Sequence, residues 1–497
     1  MWLVALAAAG AAPNALAVPA AERSALIDLY NATCGTAWGA SWRNASDTDF
    51  KAAGTECTWD GVSCDGTSST VIGIAMSGFA CGALPASIGD FENLETLQYR
   101  MVGSAFNFLT GPLPAEIGKL AKLKTLDLSN NMLTGTIPPA WSGLASLEYL
   151  DLGDQHSLER LSGSVPAWLG SLANLTHLGL RNNAFDGTIP LQLGALTQLQ
   201  ELSLDGNDLS GAIPGELGNL ANLQWFIAHG NQLTGAIPPE LGNLANLQGL
   251  YLFSNRLSGT FPVELCALGN LRELDLSGNL LTGTLPGALG NLTNLRLFVV
   301  AENAFSGELP ASMATWANLY NGGINLGYNA LHSSDAALSA FVDTWQFGGD
   351  WRSTQTIAPT DPKATTEGAD SVTLSWTPIA YQDDGGGYRV RYGKQSGGPY
   401  VAFATTTADK AAGTLTVTGL APATTYYFVV ETWTDPHPVS GRSPQQNTVV
   451  SEPSAEVAAM TRSPPAIPAL GPWQVVLLAV ALLLAAMQTL RRPEAGP

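Results

Sequence analysis

A repeated phrase in the middle of the chain limits what the protein can fold into. From Pro166 to Pro310, prolines recur at intervals of 24 residues. The phrase between them is Leu-x-x-Leu-x-Leu-x-x-Asn-x-Leu-x-Gly-x-Ile-Pro, as in residues 123–138. Self-similarity at this period predicts a solenoid, in which no coil buries its apolar face alone and stability comes from stacking.

Each position of the phrase has a physical role. Leu126 and Leu128 alternate with polar residues, which predicts one short strand per coil with its leucines pointing inward. The asparagine amide has two donors and one acceptor, enough to satisfy backbone groups of adjacent coils. Stacking therefore predicts a buried ladder of Asn131, Asn183, Asn207, Asn231, Asn255, Asn279 and Asn303.

The Leu-Thr/Ser-Gly-x-Ile-Pro variant resembles the plant-type leucine-rich repeats of receptor kinases and polygalacturonase-inhibiting proteins. The resemblance covers about residues 21–351. It implies an α/β solenoid of about ten coils over residues 85–351, with short parallel strands on a concave face. Residues 21–84, with a helix at 25–30 and with Trp38, Trp42 and Trp59, resemble the N-terminal cap of such repeats.

Two coils depart from the repeat. The coil around Gln155 carries extra residues and lacks the asparagine, and the coil around Arg100 is also longer. Both are expected to form bulging loops.

A second module is predicted over residues 358–461. Residues 371–376, 388–392 and 426–433 are rich in β-branched and aromatic residues and are predicted to be strands. Residues 420–426 resemble the tyrosine corner of fibronectin type III modules, which implies an all-β sandwich with Trp376 and Tyr426 in its core.

The two ends predict export. Residues 1–17 form an apolar run that ends in Ala-Leu-Ala, as in a cleaved signal peptide. Residues 473–490 are nearly uncharged and predict one C-terminal transmembrane helix, followed by Arg491 and Arg492 on the cytoplasmic side. The preceding chain would then lie at the cell envelope or surface, anchored at least transiently and released if the tail is cleaved.

A sorting motif precedes that helix. Within the linker at residues 462–472, the run that continues to Trp473 resembles the IPTL-CTERM signal of Gram-negative bacteria. The residues that carry the resemblance are Ile467, Pro468, Leu470, Trp473, Arg491 and Arg492. It implies recognition by an exosortase-type sorting enzyme, although Ala469 stands where the motif has threonine. The alternative is a plain membrane anchor.

Four of the five cysteines lie near the mature N-terminus. Cys34, Cys57, Cys64 and Cys81 allow three disulfide pairings. The short loop favours Cys57 with Cys64, and Cys34 with Cys81 would follow. A zinc site is the alternative, but the cysteines lack CxxC spacing and a histidine partner. Cys266 stands alone in a repeat and is expected to be buried.

Charge and motifs argue against two classes of function. The formal net charge of −19 would repel nucleic acid. The histidines lack HExxH spacing, and the pair Asp383 and Asp384 lacks the ligand spacing of a calcium loop, so we expect a flexible turn there. We therefore expect no enzyme, no metal and no cofactor.

The concave face offers a candidate binding site. Residues that flank the inward leucines point outward, and in most coils they are small or polar. Apolar and aromatic residues replace them in three coils, with an acidic coil between. The predicted ligand-binding residues are Trp225, Ile227, His229, Tyr251, Phe253, Glu273, Asp275, Leu297 and Val299. The alternative is that they pack under a neighbouring loop or the second module.

Together these features predict a non-catalytic, exported recognition protein of the bacterial cell surface. Its partners would be a protein, peptide or polysaccharide on the concave face, the sorting enzyme, and the membrane through the C-terminal helix. One alternative is a structural component of the surface or of a biofilm matrix. Another is an inhibitor of a secreted hydrolase, by analogy with the polygalacturonase inhibitors.

Overall fold

A computed structural model describes most of the chain. The described residues are 18–35, 42–44, 49–76, 81–99, 108–400, 402–437, 446, 448–464 and 471–490. They form a solenoid of stacked coils, then a β-sandwich, then a C-terminal helix.

One long sheet runs through the whole solenoid. It contains twelve strands, of which the first pair is antiparallel and the others are parallel. The strands are Val62–Cys64, Val71–Met76, Thr96–Tyr99, Thr125–Asp127, Tyr149–Asp151, His177–Gly179, Glu201–Ser203, Trp225–Ile227, Gly249–Tyr251, Glu273–Asp275, Leu297–Val299 and Ile324–Asn325. The predicted strand of each coil is thus confirmed.

A second row of short strands follows the coil asparagines and carries the Leu-Thr/Ser-Gly segment. These strands are Cys81–Gly82, Phe108–Pro112, Met132–Thr134, Ser162–Ser164, Ala184–Asp186, Ser210–Gly211, Gln232–Ala236, Arg256–Thr260, Leu280–Gly283, Ala304–Glu308 and Ala330–His332. They pair in parallel from coil to coil.

The proline of each coil then starts a short 3-10 helix. Its fixed φ suits the position before a helix, and it has no backbone N–H to satisfy. These 3-10 helices are Ala86–Asp90, Ala115–Lys119, Pro139–Gly143, Ala167–Ser171, Leu191–Ala195, Gly215–Asn219, Pro239–Asn243, Val263–Ala267, Gly287–Asn291 and Ala311–Thr315. Two further 3-10 helices, Glu56–Thr58 and Trp351–Thr354, follow Thr55 and Asp350 instead of a proline.

The asparagine ladder binds adjacent coils together. Asn255 is 1% exposed, and its Nδ2 donates to the carbonyl oxygens of Ala228 and Leu252 at 3.0 Å. Its Oδ1 accepts from the backbone N–H of Leu233 in the preceding coil at 3.0 Å. The two Nδ2 donations recur at each predicted asparagine and continue at Asn329. The Oδ1 contact recurs at all of them except Asn183, whose buried Oδ1 has no hydrogen-bond partner among the described residues.

Glutamine takes the asparagine's place in one irregular coil. Gln155 Nε2 donates to the Leu128 and Leu152 carbonyls, and Oε1 accepts from the Leu133 N–H at 2.9 Å. The extra residues bulge outward as predicted, since Leu158 is fully exposed. The loop predicted around Arg100 lies outside the described residues.

The N-terminal cap closes the first coil. Helix Ala20–Ala32 packs its buried residues on the core, and Trp42 stacks near Trp59 with ring centroids 4.9 Å apart. Disulfides join Cys57 to Cys64 and Cys34 to Cys81, as expected. Trp38 lies outside the described residues.

The second module has two antiparallel sheets. Strands Thr360–Glu367, Ser371–Thr377 and Thr414–Thr418 form one, and strands Gly386–Gly393, Ala402–Thr406, Thr425–Thr434, Val449–Val450 and Val457–Met460 form the other. Trp376 and Tyr426 are buried between them. The Tyr426 hydroxyl accepts from the Ala421 N–H at 2.9 Å, which is the expected tyrosine corner.

The second module packs directly on the end of the solenoid. Thr356 and Thr434 are both buried and share a hydrogen bond of 2.6 Å between their hydroxyls. Tyr328, on the last coil, packs against the core of the sandwich, with its ring 6.1 Å from that of Tyr381. The junction is therefore a packed interface rather than an extended linker.

Two further helices are Ala336–Trp345, which follows the last coil, and Pro472–Leu490. None of the helices in the described part of the chain is long and apolar enough to cross a membrane. The prediction that residues 473–490 span a membrane is corrected by that finding. Between Gln474 and Gln488 the uninterrupted apolar run covers only about 20 Å at the helical rise, against about 30 Å of bilayer core.

The ladder yields the first testable prediction. Asn255→Ala leaves several buried backbone groups without partners and should lower the free energy of unfolding by about 2–4 kcal/mol. The matched control is Asn246→Ala, because this exposed side chain makes a single bond to the Ala221 carbonyl. The control should cost less than about 1 kcal/mol, as measured by urea denaturation. Equal losses for the two variants would contradict the structural role of the ladder.

Candidate functional site

The strands of the long sheet alternate inward and outward side chains. In strand Trp225–Ile227, Phe226 is fully buried, whereas Trp225 and Ile227 are half-buried on the outer face. The register places Trp225 opposite Gly249 and Ile227 opposite Tyr251. These side chains therefore lie on the outer face, in the register that the repeat predicts. Their role in ligand binding stays a prediction.

Four rings on this face form two stacks, which we call the aromatic patch. Trp225 and Tyr251 lie nearly parallel with centroids 6.4 Å apart, and His229 stacks on Phe253 at 4.0 Å. Gly249 makes room for the indole, because a Cβ there would lie 2.4 Å from Trp225 Cε3. Any residue other than glycine would displace the tryptophan ring.

Hydrogen bonds orient one edge of the aromatic patch. The Tyr251 hydroxyl donates to Glu273, and the Tyr320 hydroxyl lies 3.5 Å from the other oxygen of the same carboxylate. Burial, and then the Glu273 carboxylate, raise the pKa of Tyr251, so its phenol stays protonated. Glu273 therefore positions the tyrosine ring in addition to adding negative charge.

Burial also sets the charge of His229. It lowers the pKa of His229 below its usual value, although Asp205 Oδ2 lies 3.6 Å from Nε2 and acts in the opposite direction. The imidazole is therefore neutral at pH 7 and contributes an apolar, stackable ring to the patch.

A cavity of about 620 Å³ lies beside the aromatic patch, at the end of the long sheet. We call it the C-terminal cavity. It is lined by Phe253, Ser254, Asp275, Ser277, Leu297, Val299, Glu302, Gly322, Asn325 and Phe347. Its volume is typical of ligand pockets. Of the predicted residues, Asp275, Leu297 and Val299 line this cavity, and Phe253 belongs to both the cavity and the patch. Ile227 and Glu273 belong to neither.

The second module reaches the same region. Gln446 Nε2 donates to the carbonyl oxygen of Asn255 at 3.1 Å, next to Ser254 in the cavity lining. The cavity thus has the sheet on one side, the segment with Phe347 on another, and the sandwich close by. The sequence left packing near the second module as an alternative, but it did not identify the contact at Asn255.

A charged cluster on the same face was also missed. His177 Nδ1 lies 3.3 Å from Glu201 Oε2, and its Nε2 lies 3.9 Å from Asp151 Oδ2. Arg181 Nη1 bonds the same Asp151 oxygen at 3.2 Å, and the Tyr149 ring stacks on the imidazole at 4.2 Å. Residues 24 or 28 positions apart become neighbours on adjacent strands, so a comparison of such residues in the sequence would have revealed the cluster.

The cluster is poorly suited to acid–base chemistry at neutral pH. Burial alone would lower the pKa of His177, but Asp151 and Glu201 outweigh it and raise the pKa to about 9. The histidine is then a cation at pH 7, whereas a general base needs a pKa near the working pH. Ser203, on the adjacent strand, donates its hydroxyl to Asp205 rather than to His177. The arrangement is therefore an ion-pair network.

The remaining predicted features are placed as follows. Asp384 accepts from the Tyr381 hydroxyl, and its Oδ2 lies 3.1 Å from His437 Nε2, so it belongs to the packing at the module junction. Cys266 is buried and unpaired. Of the sorting residues, Trp473 is the second residue of the C-terminal helix. Outside the described residues lie Ile467, Pro468, Leu470, Arg491 and Arg492, as do residues 1–17.

In the part of the chain that the structure describes, no group of three or more His, Cys, Asp or Glu side chains is arranged to hold a metal ion.

The raised pKa of His177 yields the second prediction. Because the folded pKa of about 9 exceeds the unfolded value near 6.5, the ion pairs stabilise the fold fully below pH 6.5. This contribution, on the order of 3 kcal/mol, should disappear as the pH rises through about 9. The contribution is measured as the difference in the free energy of unfolding between the protein and a His177→Gln variant, by urea denaturation between pH 6 and 9.5. An NMR titration midpoint of His177 near 6.5 would refute the prediction.

Comparison with known proteins supports the two modules. Residues 150–321 match the family described as leucine-rich repeat region, and residues 107–156 match leucine rich repeat. Residues 357–444 match the fibronectin type III domain. No curated protein matches the chain.

Among solved structures, the chain is similar to two receptor ectodomains. One is the leucine-rich repeat ectodomain of the plant membrane receptor kinase GASSHO1/SCHENGEN3 from Arabidopsis thaliana, in complex with CASPARIAN STRIP INTEGRITY FACTOR 2. It is 33% identical over 62% of this chain and 35% of that one, with a TM-score of 0.53. The other is the Arabidopsis receptor kinase HAESA ectodomain with an N-terminally extended IDA peptide hormone. It is 31% identical over 62% of this chain and 49% of that one, with a TM-score of 0.51.

A plant ice-binding protein is a further neighbour, 27% identical over 64% of this chain and 99% of that one, with a TM-score of 0.52. The chain spans about a third to a half of the two receptor ectodomains. Both modules are of kinds that typically bind partners rather than catalyse reactions. The described chain is thus a leucine-rich repeat solenoid followed by a fibronectin type III-like module.

Proposed function

We propose that the protein is an exported, non-catalytic recognition protein that binds a peptide or a protein segment on the outer face of the long sheet. The observation that carries the proposal is the aromatic patch. Two pairs of stacked rings stand half-buried on a face where most other coils carry small or polar residues. Aromatic side chains held rigid in this way are the usual anchors of binding interfaces.

The similar receptor ectodomains favour a peptide over a polysaccharide. Both were solved with a peptide or protein ligand, and both exceed 30% identity over the matched region. The patch also continues into the C-terminal cavity through Phe253, so an extended ligand would contact both. A polysaccharide ligand, a matrix component and a hydrolase inhibitor are the alternatives that the experiment must separate.

The proposal that the protein is exported rests on its disulfides and on the sequences of its two termini. Disulfides persist in oxidising compartments, and this chain has two of them in its N-terminal cap. We propose that residues 1–17 direct export and that the motif at residues 467–473 directs sorting by an exosortase-type enzyme. Both assignments rest on the sequence.

Binding by the aromatic patch yields the third prediction. The full chain should enrich a consensus from a phage-displayed dodecapeptide library. The triple variant Trp225→Ala, Tyr251→Ala, Phe253→Ala should bind the selected peptides at least tenfold more weakly, because truncating anchor residues typically costs 2 kcal/mol or more. Affinities are measured by fluorescence polarisation, and unchanged circular dichroism shows that the variant is folded.

The matched control alters residues on the outer face of the long sheet, in the same column as Trp225. Thr96→Ala with Thr125→Ala alters residues that share the register of Trp225, several coils away. This double variant should bind like the unmodified protein. If the library yields no enriched peptide but the protein binds sugars on a glycan array, the proposed ligand class is wrong. If the triple variant binds as well as the control, the patch is not the site, and the structural alternative is preferred.

A further inference from the structure

Two arginines lie side by side next to the aromatic patch. Arg272 and Arg296 occupy the same position in neighbouring coils, and the backbone N–H of Arg296 donates to the Arg272 carbonyl oxygen at 2.7 Å. Arg272 directly precedes Glu273, whose carboxylate accepts from the Tyr251 hydroxyl. The two arginines, which we call the arginine rim, therefore border the surface that is proposed to bind the ligand.

The arginine rim lacks the carboxylate partners that other arginines of the chain have. Arg181, Arg352 and Arg389 each contact a carboxylate oxygen, at 2.9, 2.7 and 2.6 Å. Neither arginine of the rim forms such an ion pair in the described part of the chain. The chain has 41 acidic residues and only 22 lysines and arginines, so a shortage of acidic residues does not explain the difference.

Two cations on adjacent strands cost stability, because like charges that face each other in a sheet repel. Near the other end of the solenoid the same two neighbouring positions hold Glu95 and Lys124, which form an ion pair of 2.7 Å. The four coils before the arginine rim have uncharged residues at this position, which are Thr176, Gln200, Gln224 and Gln248. The fold of a coil therefore does not require an arginine there, and the pair of arginines is unfavourable unless an anion lies beside it.

Tyr320 orients one arginine of the rim. The Arg296 guanidinium lies 5.8 Å from the centre of the Tyr320 ring, and its Nη1 donates to the Tyr320 hydroxyl at 3.4 Å. That hydroxyl lies 3.5 Å from Oε1 of Glu273, so the carboxylate nearest in sequence interacts with tyrosines rather than with an arginine. The side chain of Arg272 is exposed and has no hydrogen-bond partner among the described residues. Its guanidinium is therefore open to a ligand.

We propose that the arginine rim binds an acidic side chain of the peptide ligand, next to the residue that contacts the aromatic patch. Each guanidinium is a planar fork of N–H donors that matches a carboxylate in a bidentate arrangement. A carboxylate beside both guanidinium groups would also offset the repulsion between them. This inference rests on the proposed function and adds the charge of one ligand residue.

The test starts from the phage-displayed dodecapeptide library. Peptides that are enriched on the full chain should carry aspartate or glutamate next to their apolar anchor residue. Displayed peptides are joined to the coat protein at their C-terminus, so a free terminal carboxylate cannot produce this enrichment.

The most enriched peptide is then synthesised with an amidated C-terminus, once with its acidic residue and once with the isosteric glutamine or asparagine. The acidic form should bind the full chain about tenfold more tightly, because hydrogen bonds between charged groups are stronger than neutral ones. Affinities are measured by fluorescence polarisation at low ionic strength. Added salt should reduce the preference, because charge attraction is screened.

Variants assign the preference to the arginine rim. Arg272→Gln removes one guanidinium and should reduce the preference for the acidic form to less than about threefold, because the two charges act on each other. The control Arg256→Gln removes the same charge from an exposed site in the second row of strands and should leave the preference unchanged. Neither variant should lower the urea concentration at which the protein unfolds. A lower value for Arg272→Gln would give that arginine a structural role instead.

The outcomes separate this inference from the proposed function. Enriched peptides that need Trp225 and Tyr251 but contain no acidic residue would leave the proposed function standing and overturn the assignment of the arginine rim. Equal binding of the acidic and amide forms, or an unchanged preference in Arg272→Gln, overturns it as well. So does a peptide that binds more tightly with a free C-terminus and does not need its acidic side chain, since a terminal carboxylate would then be the ligand group. A library without any enriched peptide rejects the proposed function and this inference together.

Discussion

The buried amide ladder is the interaction on which the rest of the structure depends. Each coil exposes backbone carbonyl and N–H groups at its turn, and a solenoid interior offers no water to satisfy them. A single side chain with two donors and one acceptor bridges two coils at once, as Asn255 does. The substitution of Gln155 for asparagine shows that the requirement is for the amide group rather than for one residue type.

Because the ladder and the inward leucines hold the coils together, the outer face of the long sheet can vary. In one region it carries the network around His177, whose charges neutralise one another. In the next it carries the aromatic patch, with Gly249 leaving space for a tryptophan. The same scaffold therefore presents surfaces of different chemistry a few strands apart. The patch is the surface that suits recognition, since its rings are rigid and partly desolvated.

The end of the solenoid combines several parts of the chain. The edge of the sheet and the segment with Phe347 line the C-terminal cavity, and Gln446 of the sandwich contacts the solenoid at Asn255, next to that lining. Tyr328, at the left-handed position one coil after Glu302, packs against the sandwich. The sandwich therefore lies close to the C-terminal cavity.

The sequence by itself determined the solenoid, its register and the sandwich, whereas it only favoured the two disulfide pairs that the structure contains. These features depend on local periodicity: a leucine every second residue sets a strand, and a 24-residue period sets which residues become neighbours. It also placed Trp225, Tyr251, His229 and Phe253 correctly, because register follows from the repeat. Only the tertiary structure decided what lies around them. The bond from Tyr251 to Glu273, the charge of His229 and the cavity depend on burial and on contacts between distant segments. No repeat period encodes those contacts, since they join parts of the chain that share no pattern.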